Sequence, residues 1–373
     1  MSGERGFAMD DVSGRSLEQI RSDIDQVDRE LARLLEKRMA LVSEVTDYKR
    51  RANKAVLDAS REERVIENVL GCVSQPRYNQ SIEEIFRHMM KVSREYQSKR
   101  LEHADSQPRF GLIGEKLSHS LSPAIHELYF NFTQTQGSYT LQETPRSDLP
   151  ELLKKLRAGG YSGVNVTVPY KSEIIPFLDE LSPEVRHIGA VNTIVLSDTI
   201  KGYNTDYHGF GAALARCGVA LKGKRCAVLG SGGSAHAVMA YLEDQGVGEL
   251  VIVSRDPESV YFKFPGLPAE RLEDFSARGF DLVINTTPVG MYPSAQDSPL
   301  TKEQLAGAGF VMDLIYNPPE TRLLSFAREL GIPCCNGLYM LVAQALHAES
   351  IWLDRPVEPA LVENIYDEMV KRL

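Results

Sequence analysis

A chain of 373 residues, 43% hydrophobic and 25% charged, has the composition of a globular protein with room for two or three cores. Its formal charge of −9 argues against a nucleic-acid binder, which carries a basic footprint, and no apolar run approaches the ~20 residues of a membrane span. The five cysteines form no CxxC pair and no metal spacing, so a reducing, cytoplasmic compartment and no metal are expected; Cys334 and Cys335 read as plain thiols, because sequence neighbours rarely reach disulfide geometry.

The opening MSGERGFAMDDVSGR lacks the apolar segment of a signal peptide, and residues 1–16 read as a flexible leader. From 17 to 100 the only glycine and proline are Gly71 and Pro76. Apolar residues recur at heptad-like spacing through Leu17, Ile20, Ile24, Val27, Leu31, Leu34, Leu41 and Val45. That period predicts a helix of about 30 residues, roughly 50 Å long at 1.5 Å per residue, more than one small domain can cover. It is therefore expected to pack against a partner chain. A second helix is predicted over 58–72 and a third over 80–101, with Pro76 in the joint. Together 17–103 read as an all-α, dimer-forming module, and 104–108 as a linker.

Within the apolar stripe Arg38 stands where a core residue is expected, and Lys49 lies eleven residues on, along almost the same face. Both can snorkel to solvent, or both can meet an anionic partner at the apolar seam. The surrounding residues, LEQIRSDIDQVDRELARLLEKRMAL through YKRRANKAVLDASREE and VSREYQ, resemble the all-helical class of chorismate mutases over the whole module. The resemblance implies rearrangement of chorismate to prephenate, a single pericyclic step that needs positioning and charge stabilisation rather than a nucleophile or cofactor. It implies that Arg38 and Arg61 grip carboxylates, with Arg21 reaching in from the partner chain. Lys49 and Gln97 would donate to the ether oxygen, Glu62 and Asp58 would accept from the ring hydroxyl, and Ser93 lies beside them on the last helix.

After 108 the pattern changes to short apolar runs alternating with helical stretches: RFGLIG, GVNVTVP, AVNTIVL, KRCAVLG, ELVIVS, FDLVINTT and GFVMDLIY. This is the rhythm of an α/β fold with mostly parallel strands. The stretch KLSHSLSPAIH ends in Ser-Pro at the mouth of a predicted helix, where hydroxyls and a helix N-terminus suit an anion or simply cap the helix. GVNVTVPYK brings Lys171 just past a strand, and IGAVNT and GYNTDYHGF place Asn192 and Asp206 likewise. VLGSGGSAHA is a strand-to-helix glycine turn with Ala237 at its third conventional glycine, which a dinucleotide fingerprint tolerates.

The order HSxSP, NVTxPxK, GAxNT, NTDxxG, GxGG and GLxMLVxQA closely resembles shikimate dehydrogenase from about 109 to the end; Lys116-Leu117 departs from its usual Pro-Ile. The resemblance implies a catalytic domain of 109–205 plus 337–373 around an inserted Rossmann-type NADP domain of 206–336. It implies NADPH-dependent reduction of 3-dehydroshikimate, with Lys171 and Asp206 as the catalytic pair. Ser120 and Ser122 would bind the substrate carboxylate, Thr167, Asn192 and Gln344 its hydroxyls, and Tyr316 would close the site, with His119 structural. The resemblance further implies that serine at both 120 and 122 favours shikimate over quinate. The cofactor would lie on Gly230, Ser231, Gly232, Gly233, Ser234, Ser254, Arg255, Asp256, Thr286 and Gly337. In LVIVSRDPES, Arg255 suits the 2′-phosphate of NADP, while Asp256 either caps the helix before Pro257 or accepts from an unphosphorylated ribose and admits NAD as the weaker cofactor. The whole reads as a bifunctional, homodimeric enzyme of aromatic amino-acid biosynthesis, the alternative being a dehydrogenase whose helical module senses chorismate or prephenate.

Overall fold

The computed structural model describes residues 15–51, 59–105 and 107–373, so most of the leader, and Asp58, lie outside the described residues. Two compact units divide the chain, Met1–Ser106 and Gln107–Leu373.

In the first unit α1 (Leu17–Arg51) runs 35 residues, followed by α2 (Ala59–Gly71) and α3 (Asn79–Asp105). Pro76 opens a single 3-10 turn, Pro76–Tyr78, at the predicted joint. Helix α3 continues two residues into the stretch read as a linker, because LEHAD contains good helix formers and the first breaker is Pro108. The heptad stripe is not buried within this chain: Leu17, Ile24, Val27, Leu31, Leu34, Leu41 and Val45 are between 47% and 64% exposed. Among the described residues of this unit, Ile66 and Met90 are the buried apolar side chains.

The second unit holds two sheets. Strands β1 (Arg109–Gly114), β2 (Ser138–Glu143), β3 (Tyr161–Val166), β4 (Glu180–Leu181), β5 (Thr193–Leu196) and β6 (Ile200–Tyr203) pair in the order β2-β1-β3-β5-β6-β4. β1 is parallel to β2 and β3, whereas β5 is antiparallel to β3 and β6. Helices α4 (Ser122–Thr133), α5 (Leu149–Ala158) and α6 (Pro183–Ile188) connect them. The chain then leaves along α7 (Asp206–Arg216) into a second sheet of β7 (Arg225–Leu229), β8 (Glu249–Ser254), β9 (Ala269–Arg271), β10 (Leu282–Asn285), β11 (Val311–Asp313) and β12 (Cys334–Cys335). All its pairings are parallel, in the order β12-β11-β10-β7-β8-β9, the doubly wound arrangement of a dinucleotide-binding fold. Its helices are α8 (Gly233–Asp244), α9 (Pro257–Lys263), α10 (Lys302–Leu305) and α11 (Arg322–Glu329). The chain returns through α12 (Leu338–Leu353) and α13 (Pro359–Val370), whose Leu338, Val342, Leu346, Ile365 and Met369 share a core with Phe110, Ile125 and Tyr129 near the start of the unit.

α7 and α12 pack closely where glycine permits it: a Cβ on Gly209 would lie 2.7 Å from the Met340 carbonyl and 3.0 Å from the Gln344 nitrogen. His208 and His347 face each other across this contact, ring centroids 4.1 Å apart. Burial, and then the neighbouring His208, holds His347 down at about 4; burial likewise lowers His208. Unfolded histidine titrates near 6.5, so between roughly pH 4 and 6.5 the unfolded chain binds more protons than the folded one. Stability therefore rises with pH across that window and is lost on acidification through it. Thermal melts from pH 7 to 4.5 should show a falling Tm, with a shallower fall in His347→Gln. An unchanged slope in that variant would remove the pair from the acid response.

Candidate active sites

The second unit gathers its motifs at one place. Lys171 lies in the turn after β3, its carbonyl accepting from the Val191 N–H at 2.7 Å, and its ammonium is buried with Nζ 2.5 Å from Oδ2 of Asp206. Asp206 opens α7, where the positive end of the helix dipole favours its charge. Asn192 clamps the group: Nδ2 donates to Asp206 Oδ1 at 2.9 Å and Thr205 Oγ1 at 3.0 Å, with Gln344 Oε1 3.3 Å away, while Oδ1 accepts from the Thr205 N–H at 2.7 Å. A buried ammonium–carboxylate pair in which each carboxylate oxygen has a donor is held in one geometry. It is a fixed proton donor beside a fixed anion.

Ser120 and Ser122 flank the start of α4: the Ser122 N–H donates to Ser120 Oγ at 3.3 Å, and Ser122 is buried. Thr167 holds the end of β3, its N–H on the Ile113 carbonyl at 2.9 Å. Tyr316 packs against the core of the first sheet although its chain segment follows β11, and burial raises its phenol. The turn that delivers it is set by Asp313, which accepts from Thr321 Oγ1 at 2.6 Å, Asn285 Nδ2 at 2.9 Å and the Ile315 N–H at 3.1 Å; burial pushes Asp313 up to about 6 despite these donors.

His119 is exposed in its turn rather than packed, because the loop before α4 turns it outward. The structural histidine is His126, four residues into α4, fully buried with Nδ1 2.6 Å from Glu349 Oε1. Its ring stacks on Tyr139 at 3.8 Å, and Tyr139 donates to Asn165 Oδ1 at 2.8 Å. Asn165 Nδ2 in turn donates to the Asn192 carbonyl at 3.1 Å and to Thr193 Oγ1 at 3.0 Å. This support beneath Asn192 was not anticipated from sequence, although His126, Asn165 and Thr193 each lie inside a quoted motif.

The glycine turn faces the same pair. Gly230 has φ +98°, and a Cβ there would meet Thr287 Cγ2 at 2.7 Å; a Cβ on Gly232 would meet nothing within 4 Å. A Cβ on Gly233 would stand 3.3 Å from the Lys171 side chain, so the start of α8 lies beside the ammonium stem. The N-terminus of α8 has no side-chain cap and no acidic residue in its first turn, which leaves its N–H groups, with Ser231 and Ser234, for an anion. Lys263 Nζ lies 3.5 Å from the Ser231 carbonyl and hydroxyl. These residues fit a dinucleotide pyrophosphate. Thr286 spends its hydroxyl on the Leu229 carbonyl at 2.8 Å and so holds the turn; a Cβ on Gly337 would lie 2.0 Å from the Leu314 carbonyl. Asp256 caps α9, Oδ1 accepting from the Ser259 N–H at 3.3 Å, while Arg255 is exposed.

In the helical unit Arg38 Nη1 donates to Ser93 Oγ at 2.6 Å, and burial lowers the guanidinium from its usual value. Gln97 is buried, and its Oε1 has no partner among the described residues. Lys49 is half-buried on α1, Arg21 and Arg61 are exposed, and Glu62 is gripped by Arg94 Nη1 at 2.5 and 2.6 Å. Arg94, adjacent to Ser93, was missed from sequence because a charged residue on a helix face ordinarily reads as solvated.

Comparison with known proteins adds the family. Residues 112–194 match the model of the shikimate dehydrogenase substrate binding domain, and residues 20–98 match chorismate mutase type II. The NADP(+) shikimate dehydrogenase of Clostridium beijerinckii is 40% identical over 266 residues, 69% of this chain and 96% of that one. That of Clostridium perfringens is 41% identical over 270 residues, 70% of this chain and 97% of that one. The chain belongs to the shikimate dehydrogenase family. Among solved structures, a chorismate mutase/shikimate 5-dehydrogenase fusion protein from Clostridium acetobutylicum matches with TM-score 0.70 and 42% identity, covering 72% of this chain and 98% of that one. Shikimate 5-dehydrogenase from Thermus thermophilus, in complex with NADP(H) and shikimate, matches with TM-score 0.64 and 36% identity over 70% of this chain and 99% of that one. The dehydrogenase part is thus preceded by a type II chorismate mutase region.

Proposed function

We infer that the chain is a bifunctional enzyme that reduces 3-dehydroshikimate to shikimate with NADPH and rearranges chorismate to prephenate. The observation that carries the first activity is the buried Lys171–Asp206 pair lying beside the start of α8. Bound NADPH supplies the hydride for the keto carbon. Lys171 delivers the proton to the oxygen as charge develops on it, and Asp206 keeps the ammonium in position. Ser120 and Ser122 donate to the substrate carboxylate, Thr167, Asn192 and Gln344 take its hydroxyls, and Tyr316 forms the wall. With Asp256 committed to its helix cap, Arg255 answers to the 2′-phosphate, which favours NADP; NAD is the weaker cofactor.

The second activity rests on Arg38, Ser93 and Gln97 turned into the interior of a sparse apolar bundle. Arg38 and Arg61 hold carboxylates, Lys49 and Gln97 donate to the ether oxygen, and Glu62, with Asp58, accepts from the ring hydroxyl. The exposed stripe on α1 supports a homodimer in which Arg21 reaches the site of the second copy. No helix among the described residues is long and apolar enough to cross a membrane, and a cytoplasmic location suits both substrates and the free thiols.

Both turnovers measured on the full chain test the reading: each substrate should be converted, and failure of either removes that half. Charge placed on the stripe by Leu34→Glu should halve the sedimentation mass and abolish mutase turnover while dehydrogenase turnover persists. A wild-type monomer would overturn the dimer.

A further inference from the structure

Ion pairs line the N-terminal ends of the strands in the second sheet: Arg225 at the start of β7 binds Glu249 at the start of β8, and Lys224 binds Asp281. The C-terminal ends are different. Ser254, the last residue of β8, stands in register with Arg271, the last residue of the edge strand β9. Nη1 of Arg271 donates to the carbonyl oxygen of Arg255 at 3.2 Å, which brings its guanidinium to the residue that bears the other arginine. Both side chains are exposed, and neither pairs with a carboxylate among the described residues.

The neighbours of Arg255 are already used. Ser254 Oγ accepts from the Asp256 N–H at 3.1 Å and donates to the Asp256 carbonyl at 3.2 Å, and Asp256 Oδ1 accepts from the Ser259 N–H. A guanidinium held at the Arg255 backbone and the side chain of Arg255 itself, neither with a carboxylate partner among the described residues, offer a dianion two charge-assisted donors at the strand ends. The carboxyl ends of parallel strands are also where this fold meets its ligand.

We propose that Arg271 is a second arginine of the 2′-phosphate clamp, and that it joins Arg255 in setting the preference for NADP over NAD. The assignment rests on the dehydrogenase reading above. Arg271 binds the phosphate through the N–H groups that the Arg255 carbonyl does not take, and that carbonyl fixes its direction.

The test measures binding of adenosine 2′,5′-bisphosphate and adenosine 5′-monophosphate to the full chain by calorimetry, with kcat/KM for NADPH and NADH beside it. Arg271→Gln should weaken the bisphosphate about 10- to 100-fold, the worth of hydrogen bonds to a charged group, and leave the monophosphate within about twofold. kcat/KM should fall for NADPH alone. Arg271→Lys, which keeps the charge and loses the planar fork, should fall between. Equal losses for both nucleotides, or none for the bisphosphate, would overturn the assignment. A wild type that binds the two nucleotides equally would instead overturn the NADP reading on which it rests.

Discussion

Lys171→Ala lowers the turnover of 3-dehydroshikimate reduction by about 10²- to 10⁴-fold, the usual worth of a positioned proton donor. The expected loss is in kcat, because the proposed carboxylate and hydroxyl partners, Ser120, Ser122, Thr167, Asn192 and Gln344, are untouched by the substitution. Asp206 does not collapse into the space: Asn192 Nδ2 still donates to Oδ1 at 2.9 Å, and the residue still opens α7. Steady-state kinetics with calorimetric binding of dehydroshikimate separates the two effects. The dissociation constant should stay within several-fold of wild type. Near-normal turnover would remove Lys171 from the mechanism, and lost binding with unchanged kcat would make it a substrate ligand instead.

Arg38→Ala should abolish most chorismate rearrangement, about 10²- to 10³-fold, while leaving dehydroshikimate reduction untouched. The direction of Arg38 is fixed by its 2.6 Å bond to Ser93, whose own hydroxyl donates to the Met89 carbonyl at 2.8 Å. On the proposed role, truncation leaves a substrate carboxylate unpaired at a partly desolvated position. The same experiment addresses the sensor alternative. A module that only senses chorismate binds it without converting it in wild type and loses binding in the variant. Conversion by wild type and its loss in the variant belong to an enzyme. Far-ultraviolet circular dichroism of the variant checks that α1 is intact.

Much of the architecture was legible because periodicity and motif order carry it. The heptad stripe gave α1, and its exposure in the single chain is what a pattern too long for one domain requires. The runs RFGLIG and ELVIVS are strands over the same residues, 109–114 and 249–254. The short edge strands β4, β9 and β12 were not read, since two or three residues carry no alternation to detect. Lys171, Asn192 and Asp206 were named from motifs, and the structure brings them within hydrogen-bonding distance. His126 with Glu349, Tyr139, Arg94 and Arg271 were not named. Each acquires its meaning from a residue distant in sequence: Glu349 lies 223 residues from His126, and strand register alone brings Arg271 to Arg255. The contradictory charges of SRDPES resolved locally, because Asp-Pro followed by Ser259 is itself a capping signal and the carboxylate follows it.

The way α12 and α13 complete the first sheet has a consequence for the order in which the molecule can be made. The core of the second sheet draws almost wholly on residues 210–335, adding Met340 as its latest member. The core around Phe110, Ile125 and Tyr129 waits for Leu346, Ile365 and Met369, close to the final residue of the chain. During synthesis the nucleotide-binding half can therefore mature while the half that begins earlier in the chain still lacks its last two helices. Loss of the final dozen residues would fall on the substrate side, leaving a folded cofactor domain with no finished surface opposite it.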